Sequence, residues 1–95
     1  MSVQVISMSS VVQASGGAFS SAIGDELVIF DKTGGSYYGA GKVGSRIWAL
    51  IETETNVSDL CDTLEQEFDV RRDTCEAEVL KFLGDLKERN LISLG

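Results

Sequence analysis

Apolar residues come in short β-prone clusters over the first forty positions of the chain and then recur at helical spacing almost to its end. Val11–Ala14 predicts a short strand, after which Gly16-Gly17 opens a looser stretch as far as Phe19. Glu26–Asp31, ELVIFD, is rich in branched and aromatic side chains and predicts a second strand, followed by a third over Ser36–Gly39. Between these two, Lys32-Thr33-Gly34-Gly35 is rich in the residue that tolerates positive φ, so the strands are expected to pair as an antiparallel hairpin. Val3–Ile6 is a candidate for one more strand.

Beyond Gly41 the period changes to that of a helix. In Lys42–Glu52, Val43, Ile47, Leu50 and Ile51 fall at offsets 0, 4, 7 and 8, a single stripe to be buried. A second helix is expected over Ser58–Phe68, with Ser58 as N-cap, Asp59 and Asp62 in its first turn, and Leu60, Cys61, Leu64 and Phe68 on one face. The third and longest spans Thr74–Arg89, where Asp73 and Glu76 make a capping-box arrangement and Asn90 is a left-handed stop. Val79, Leu83 and Leu86 form its stripe, but Cys75, Leu80 and Phe82 widen the apolar arc, so this helix needs contacts on two sides. Leu91-Ile92-Ser93-Leu94 is too apolar to dangle and is expected to pack back as a short strand.

The chain therefore reads as α+β: a three-stranded antiparallel sheet followed by three helices, an outline like a winged helix-turn-helix. At 95 residues it is expected to be a single domain over 1–95, with residues 1–10 flexible or an extra strand. Hydrophobic residues at 43% and charged residues at 24% fit a folded globular chain. There is no run of about 18 apolar residues to span a bilayer. The first residues lack the basic and apolar regions of a secretory signal, so a cytoplasmic location is expected.

Charge changes the meaning of the helix-turn-helix outline. The net charge of −7 repels nucleic acid and anionic membrane surfaces. The third helix sets Glu76, Glu78, Asp85 and Glu88 against Lys81, Lys87 and Arg89, so it offers no positive face to phosphates. Catalytic chemistry is equally poorly supplied. With two cysteines and no histidine, the chain lacks ligands for a structural zinc site and lacks the commonest general base. Cys61 and Cys75 are expected as reduced, partly buried thiols. The glycine pairs have no phosphate-loop spacing, and the acids Asp59, Asp62, Glu65 and Glu67 lack calcium-loop spacing and read as a solvated helix face. No cofactor, metal or catalytic residue is expected.

A binding surface remains. Ser36-Tyr37-Tyr38-Gly39 is short, follows a turn and leads straight into a helix, which makes it an edge strand open to an added strand from another chain. Tyr37 and Tyr38 must point to opposite faces. On residue spacing alone, Tyr37, Tyr38 and Phe82 either line a groove for an incoming peptide or complete a small core.

The segments GDELVIFDKTGGSYYGAGKVGSRIW, LCDTLEQEFDV and CEAEVLKFLGDLKERNLI resemble the PqqD-like family, the leader-peptide recognition domains of ribosomal peptide modification pathways. The likeness runs from Ile23 to Leu94 and is strongest in YYG-x-x-x-x-G-x-x-IW, Tyr37 to Trp48, with the V-x-x-FL-x-x-L run of the last helix. Spacing and length are most similar to the small stand-alone recognition proteins of lasso-peptide biosynthesis. The resemblance implies a non-catalytic adaptor that takes the leader of a precursor peptide as a strand beside the third strand. It implies a groove with Ser36, Tyr37, Tyr38 and Gly39 on the strand side and Val79, Phe82, Leu83 and Leu86 on the helix side, rimmed by Glu78 and Asp85. The implied partners are a precursor peptide, a separate cysteine-type leader peptidase and an ATP-dependent cyclase. An accessory domain of another PqqD-like pathway, or an acidic winged-helix regulator of DNA, are the alternatives. One departure stands out: where the family commonly has leucine and then asparagine or aspartate, this chain has Ala40 and Gly41.

Overall fold

The computed structural model describes residues 6–15, 18–23, 26–31 and 37–94. Among them the order is β1 (Val11–Ala14), β2 (Ala18–Ile23), β3 (Glu26–Asp31), β4 (Tyr37–Ala40), α1 (Lys42–Leu50), β5 (Thr55–Asn56), α2 (Val57–Glu67), α3 (Arg72–Glu88) and β6 (Ile92–Leu94). The fold is α+β with a three-stranded antiparallel sheet leading into three helices, as expected, but the sheet is β2-β3-β4, and Val11–Ala14, expected as its first strand, pairs elsewhere. The turn 32–35 and the proposed strand at Val3–Val5 lie outside the described residues; Ile6 itself is not in a strand and packs, half buried, on the core.

The strands differ from the sequence reading in two places. Ala18–Ile23 is a full strand where looser chain was expected, paired with β3 from Ala18 opposite Asp31 to Ile23 opposite Glu26. Its strand state comes with the ladder to β3, whose run of branched and aromatic residues favours a strand, and not from a pattern of its own. A second small sheet, β5-β1-β6, also forms: β1 pairs antiparallel with the two-residue β5 on one side and with β6 on the other. The chain after Asn90 thus returns as the expected short strand, and Asn90 makes the left-handed stop with φ 59°.

Of the three helices only α2 starts at a side-chain cap, and α1 and α3 start without one. α2 begins one residue before Ser58, because the Asn56 side chain accepts from the backbone N–H groups of Ser58 (2.9 Å) and Asp59 (3.4 Å). The carbonyls of Ser10 and Met8, leading into β1, accept from the N–H groups of Val57 and Ser58. α3 begins at Arg72 with no side-chain cap, and Asp73 instead accepts locally from Thr74 N–H (2.9 Å). The helix thus begins two residues before the expected Thr74, at Arg72, whose guanidinium pairs with Asp62 and Glu65 of α2 and with Glu76 of its own helix. α1 starts at Gly41, which has no side chain to cap it.

The core joins both sheets to the helices: Val12, Ile29, Ile47, Trp48, Ile51, Leu60, Leu64, Val79, Leu83, Leu86 and Leu91 are buried. Val43, which the helical stripe assigned to the core, is instead exposed, and Leu50 is half buried. Trp48 takes the buried place between them. Arg46 of α1 ties to Glu67 at the end of α2 through two parallel hydrogen bonds of 2.7 and 2.8 Å, and this ion pair holds the Glu67 carboxyl below its ordinary range. Among the described residues no helix is long and apolar enough to cross a membrane.

Candidate functional site

β4 is an edge strand. It pairs with β3, with Phe30 opposite Tyr37, Ile29 opposite Tyr38, Val28 opposite Gly39 and Leu27 opposite Ala40, and its other side has no strand partner among the described residues. The strand alternates as a pleated ribbon must. Tyr38 and Ala40 turn inward, whereas Tyr37 is 68% exposed and Gly39 lies open on the outer face. Ser36 lies outside the described residues.

Tyr38 links the strand to α3. Its phenol donates to Asp85 Oδ2 (3.2 Å), and its ring meets Phe82 edge-to-face with centroids 5.6 Å apart. The Arg89 guanidinium lies 5.2 Å from the ring centre on the same tyrosine. Burial and the neighbouring Asp85 carboxylate raise the Tyr38 pKa, so the phenol keeps its proton and remains the donor. Four side chains from one strand and one helix therefore form a fixed wall beside the free edge.

Next to this wall opens an apolar pocket of about 330 Å³. Val43, Gly44 and Ile47 of α1, Leu64 of α2, Phe68 and Val70 of the α2–α3 connection, and Cys75, Val79 and Phe82 of α3 line it. Tyr38, Glu78, Lys81 and Asp85 complete it, which puts both acids and one amine on an otherwise apolar lining. The structure thus brings Tyr38, Glu78, Val79, Phe82 and Asp85 together in one cavity. Leu83 and Leu86 are different: both have no exposed surface, do not line the pocket, and belong to the core beneath it. Their helical spacing placed them on the same broad arc as Phe82, and the arc is divided between cavity and core. Tyr37 faces away from the pocket.

Among the lining residues, Val43 and Phe68 carry a signal as members of apolar stripes, whereas Val70 carries none. Phe68 and Val70 bring the α2–α3 connection to the pocket, and Val43 brings the first turn of α1. Gly44 also carries a signal, since it is the second glycine of the YYG-x-x-x-x-G run, and its role is steric. A Cβ at this position would lie 2.9 Å from Ala40 Cβ and 3.1 and 3.2 Å from two carbons of the Phe82 ring. Replacing glycine by alanine in a helix normally stabilises it. Here Gly44→Ala is expected to overpack the site, lose about 1 kcal/mol, and lower Tm, because Ala40 Cβ cannot move without its backbone. A Tm above that of the parent chain in a thermal melt would show that Phe82 and Ala40 yield freely.

The two thiols are poor candidates for chemistry. Cys61 and Cys75 are free and buried. Burial, with Cys75 as a neighbour, pushes the Cys61 thiol up to about 12, and burial likewise raises that of Cys75. An activated thiolate needs a shift in the opposite direction. Neither thiol is expected to react with an aromatic disulfide reagent at neutral pH in the folded chain, and both are expected to react at once in denaturant. Fast labelling of the native chain would contradict this burial. Among the described residues no group of three or more histidine, cysteine, aspartate or glutamate side chains is arranged to hold a metal ion.

Comparison with known proteins bears on the same elements. The profile of the family described as "Coenzyme PQQ synthesis protein D (PqqD)" matches residues 26–92, a span that contains β4, the pocket and all three helices. Among solved structures the chain is similar to "TbiB1 in Complex with the TbiA(beta) Leader Peptide", with 33% sequence identity and a TM-score of 0.77 over 85% of this chain and 94% of that one. It shares its fold with "Lasso peptide synthetase B1 complexed with the leader peptide", at 17% identity and a TM-score of 0.74 over 86% of this chain and 96% of that one. Among curated protein sequences nothing matches it.

Proposed function

Since the chain belongs to the PqqD family, we propose that it binds the leader segment of a ribosomally made precursor peptide as an added strand on β4. The observation that carries this reading is the free edge of β4 lying beside the apolar pocket, with the Tyr38, Phe82 and Asp85 wall between them. Unpaired backbone groups on the edge supply sequence-tolerant hydrogen bonds, and the pocket supplies selection for apolar side chains. Support comes from TbiB1, which is 33% identical and whose structure holds a leader peptide.

In this reading the chain does no chemistry of its own. It holds the unmodified precursor in the cytoplasm for a separate cysteine-type leader peptidase and an ATP-dependent cyclase, in a lasso-type pathway. The strand side of the site is Ser36, Tyr37, Tyr38 and Gly39, and the helix side is Glu78, Val79, Phe82 and Asp85, with Leu83 and Leu86 supporting that wall from the core. The acidic pocket rim and the net charge of −7 favour a leader with basic residues and disfavour DNA.

Calorimetry with the leader peptide of the precursor encoded beside this chain tests the proposal. Saturable one-to-one binding is expected. The absence of any binding heat or competition at micromolar concentrations would remove it, as would tight, steeply salt-dependent binding to duplex DNA in its place.

A further inference from the structure

Three glycines, Gly39, Gly41 and Gly44, lie around the junction of β4 with α1; Gly41 opens the helix, and of the other two only one is explained by close packing within the fold. Gly44 is required by the close approach of Ala40 and Phe82. Gly39 has neither reason: its backbone is outside the left-handed region, and a Cβ built on it meets nothing within 4 Å. Glycine weakens a strand, because it orders at a greater entropic cost and has no side chain to pack. In an exposed edge strand with open space above it, the remaining physical use of glycine is to let something outside the chain approach closely.

The surroundings of Gly39 define what approaches. On the outer face of the sheet Tyr37 stands two residues before it, 68% exposed. Across the ladder Val28 lies opposite Gly39, and Phe30, 41% exposed, lies opposite Tyr37. Gly39 is thus a gap bordered on one side by two exposed aromatic rings and on another by a valine. A strand added to the free edge of β4 continues the pleat, so its side chains alternate between the two faces. Those on the inner face meet Tyr38, Phe82 and the pocket. Those on the outer face pass beside Tyr37 and over Gly39, within the reach of directly opposite and diagonal cross-strand neighbours.

We propose that Gly39, with Tyr37, Phe30 and Val28 around it, is a second subsite, on the outer face of the sheet, for a large apolar side chain of the added strand. The proposal rests on the strand-addition reading above and deepens it. An aromatic ring, or a side chain of comparable apolar bulk, fills the gap over glycine in the way that cross-strand aromatics cover glycines in sheets. The inner pocket and this outer subsite read opposite faces of one strand. Two apolar anchors of the peptide must therefore stand at an odd offset in its sequence, such as i and i+1 or i and i+3.

The test uses the full chain and a synthetic leader peptide from the neighbouring precursor gene, with a single-alanine series of that peptide. Gly39→Val suits strand geometry and leaves the edge hydrogen-bonding groups in place, so the variant is expected to be at least as stable as the parent. It is expected to bind the leader at least ten-fold more weakly. The alanine series is expected to show two strong positions at odd spacing, one of which loses its effect in Gly39→Val. Affinity within two-fold of the parent, or strong positions only at even spacing, overturns the subsite while leaving strand addition intact. No binding by the parent chain overturns both. If Gly39→Val instead changes the oligomeric state in ultracentrifugation without changing leader affinity, the occupant is a second copy of the chain and the proposal fails.

Discussion

Phe82→Ala is expected to weaken leader binding by about 2 kcal/mol or more, close to thirty-fold, with only a modest fall in Tm. The ring is half buried, lines the pocket, and meets Tyr38 edge-to-face. Its far edge rests where Gly44 has no side chain. Truncation therefore enlarges an already open cavity and removes the contact surface between wall and peptide, while the core beneath is left in place. Isothermal titration of the variant gives the binding term and a denaturant melt gives the stability term. A stability loss of about 3 kcal/mol or more with affinity retained by the folded fraction would assign Phe82 to the core.

The second large effect is its converse. Leu83→Ala, one residue further along α3, is expected to cost about 2–5 kcal/mol of stability, because Leu83 is fully buried and the rigid surroundings relax only partly around the cavity. The fraction that remains folded should bind the leader with affinity close to that of the parent chain. Urea unfolding followed by circular dichroism reads the loss. A small change in the urea midpoint together with a large loss of affinity would put Leu83 on the groove after all. The adjacent pair Phe82 and Leu83 is thus expected to separate binding from folding along a single helix.

The contrast between these two residues shows what was legible in the sequence. Periodicity identified α3 and its broad apolar arc, and the arc correctly required two contacts. Spacing alone could not divide the arc, since Phe82, Leu83 and Leu86 differ in burial through the neighbours that α1, α2 and β4 bring to them. Similarly, ELVIFD was readable as a strand, with Ile29 buried and Phe30 outward, whereas β2 depends on its ladder with β3. Tyr37 and Tyr38 were bound to face opposite ways, but only the hydrogen bond to Asp85 and the ring contact with Phe82 identify Tyr38 as the inner one. Val43 fitted the buried stripe of α1 and is exposed, on the first turn of that helix, where it lines the pocket.

The helix starts teach the same point through electrostatics. Asp73 was a sound local cap, yet α3 runs on to Arg72, where three carboxylates from two helices hold one guanidinium. The network leaves the first backbone N–H groups of α3 without a side-chain cap and ties the start of α3 to α2 through side chains alone. The Ala40-Gly41 junction left the start of α1 without a side-chain cap, as expected of glycine, and it also kept the space beside Gly44 small and apolar. Its effect on the site is therefore steric as well as energetic.

Strand addition at β4 is tested most directly by titrating isotope-labelled chain with the leader peptide and following amide resonances and cross-strand proton contacts. Large shifts are expected at Tyr37–Ala40 and along Glu78–Asp85, with contacts between peptide backbone protons and those of β4. Saturable binding that leaves Tyr37–Ala40 unmoved, with shifts confined to other elements, would contradict it.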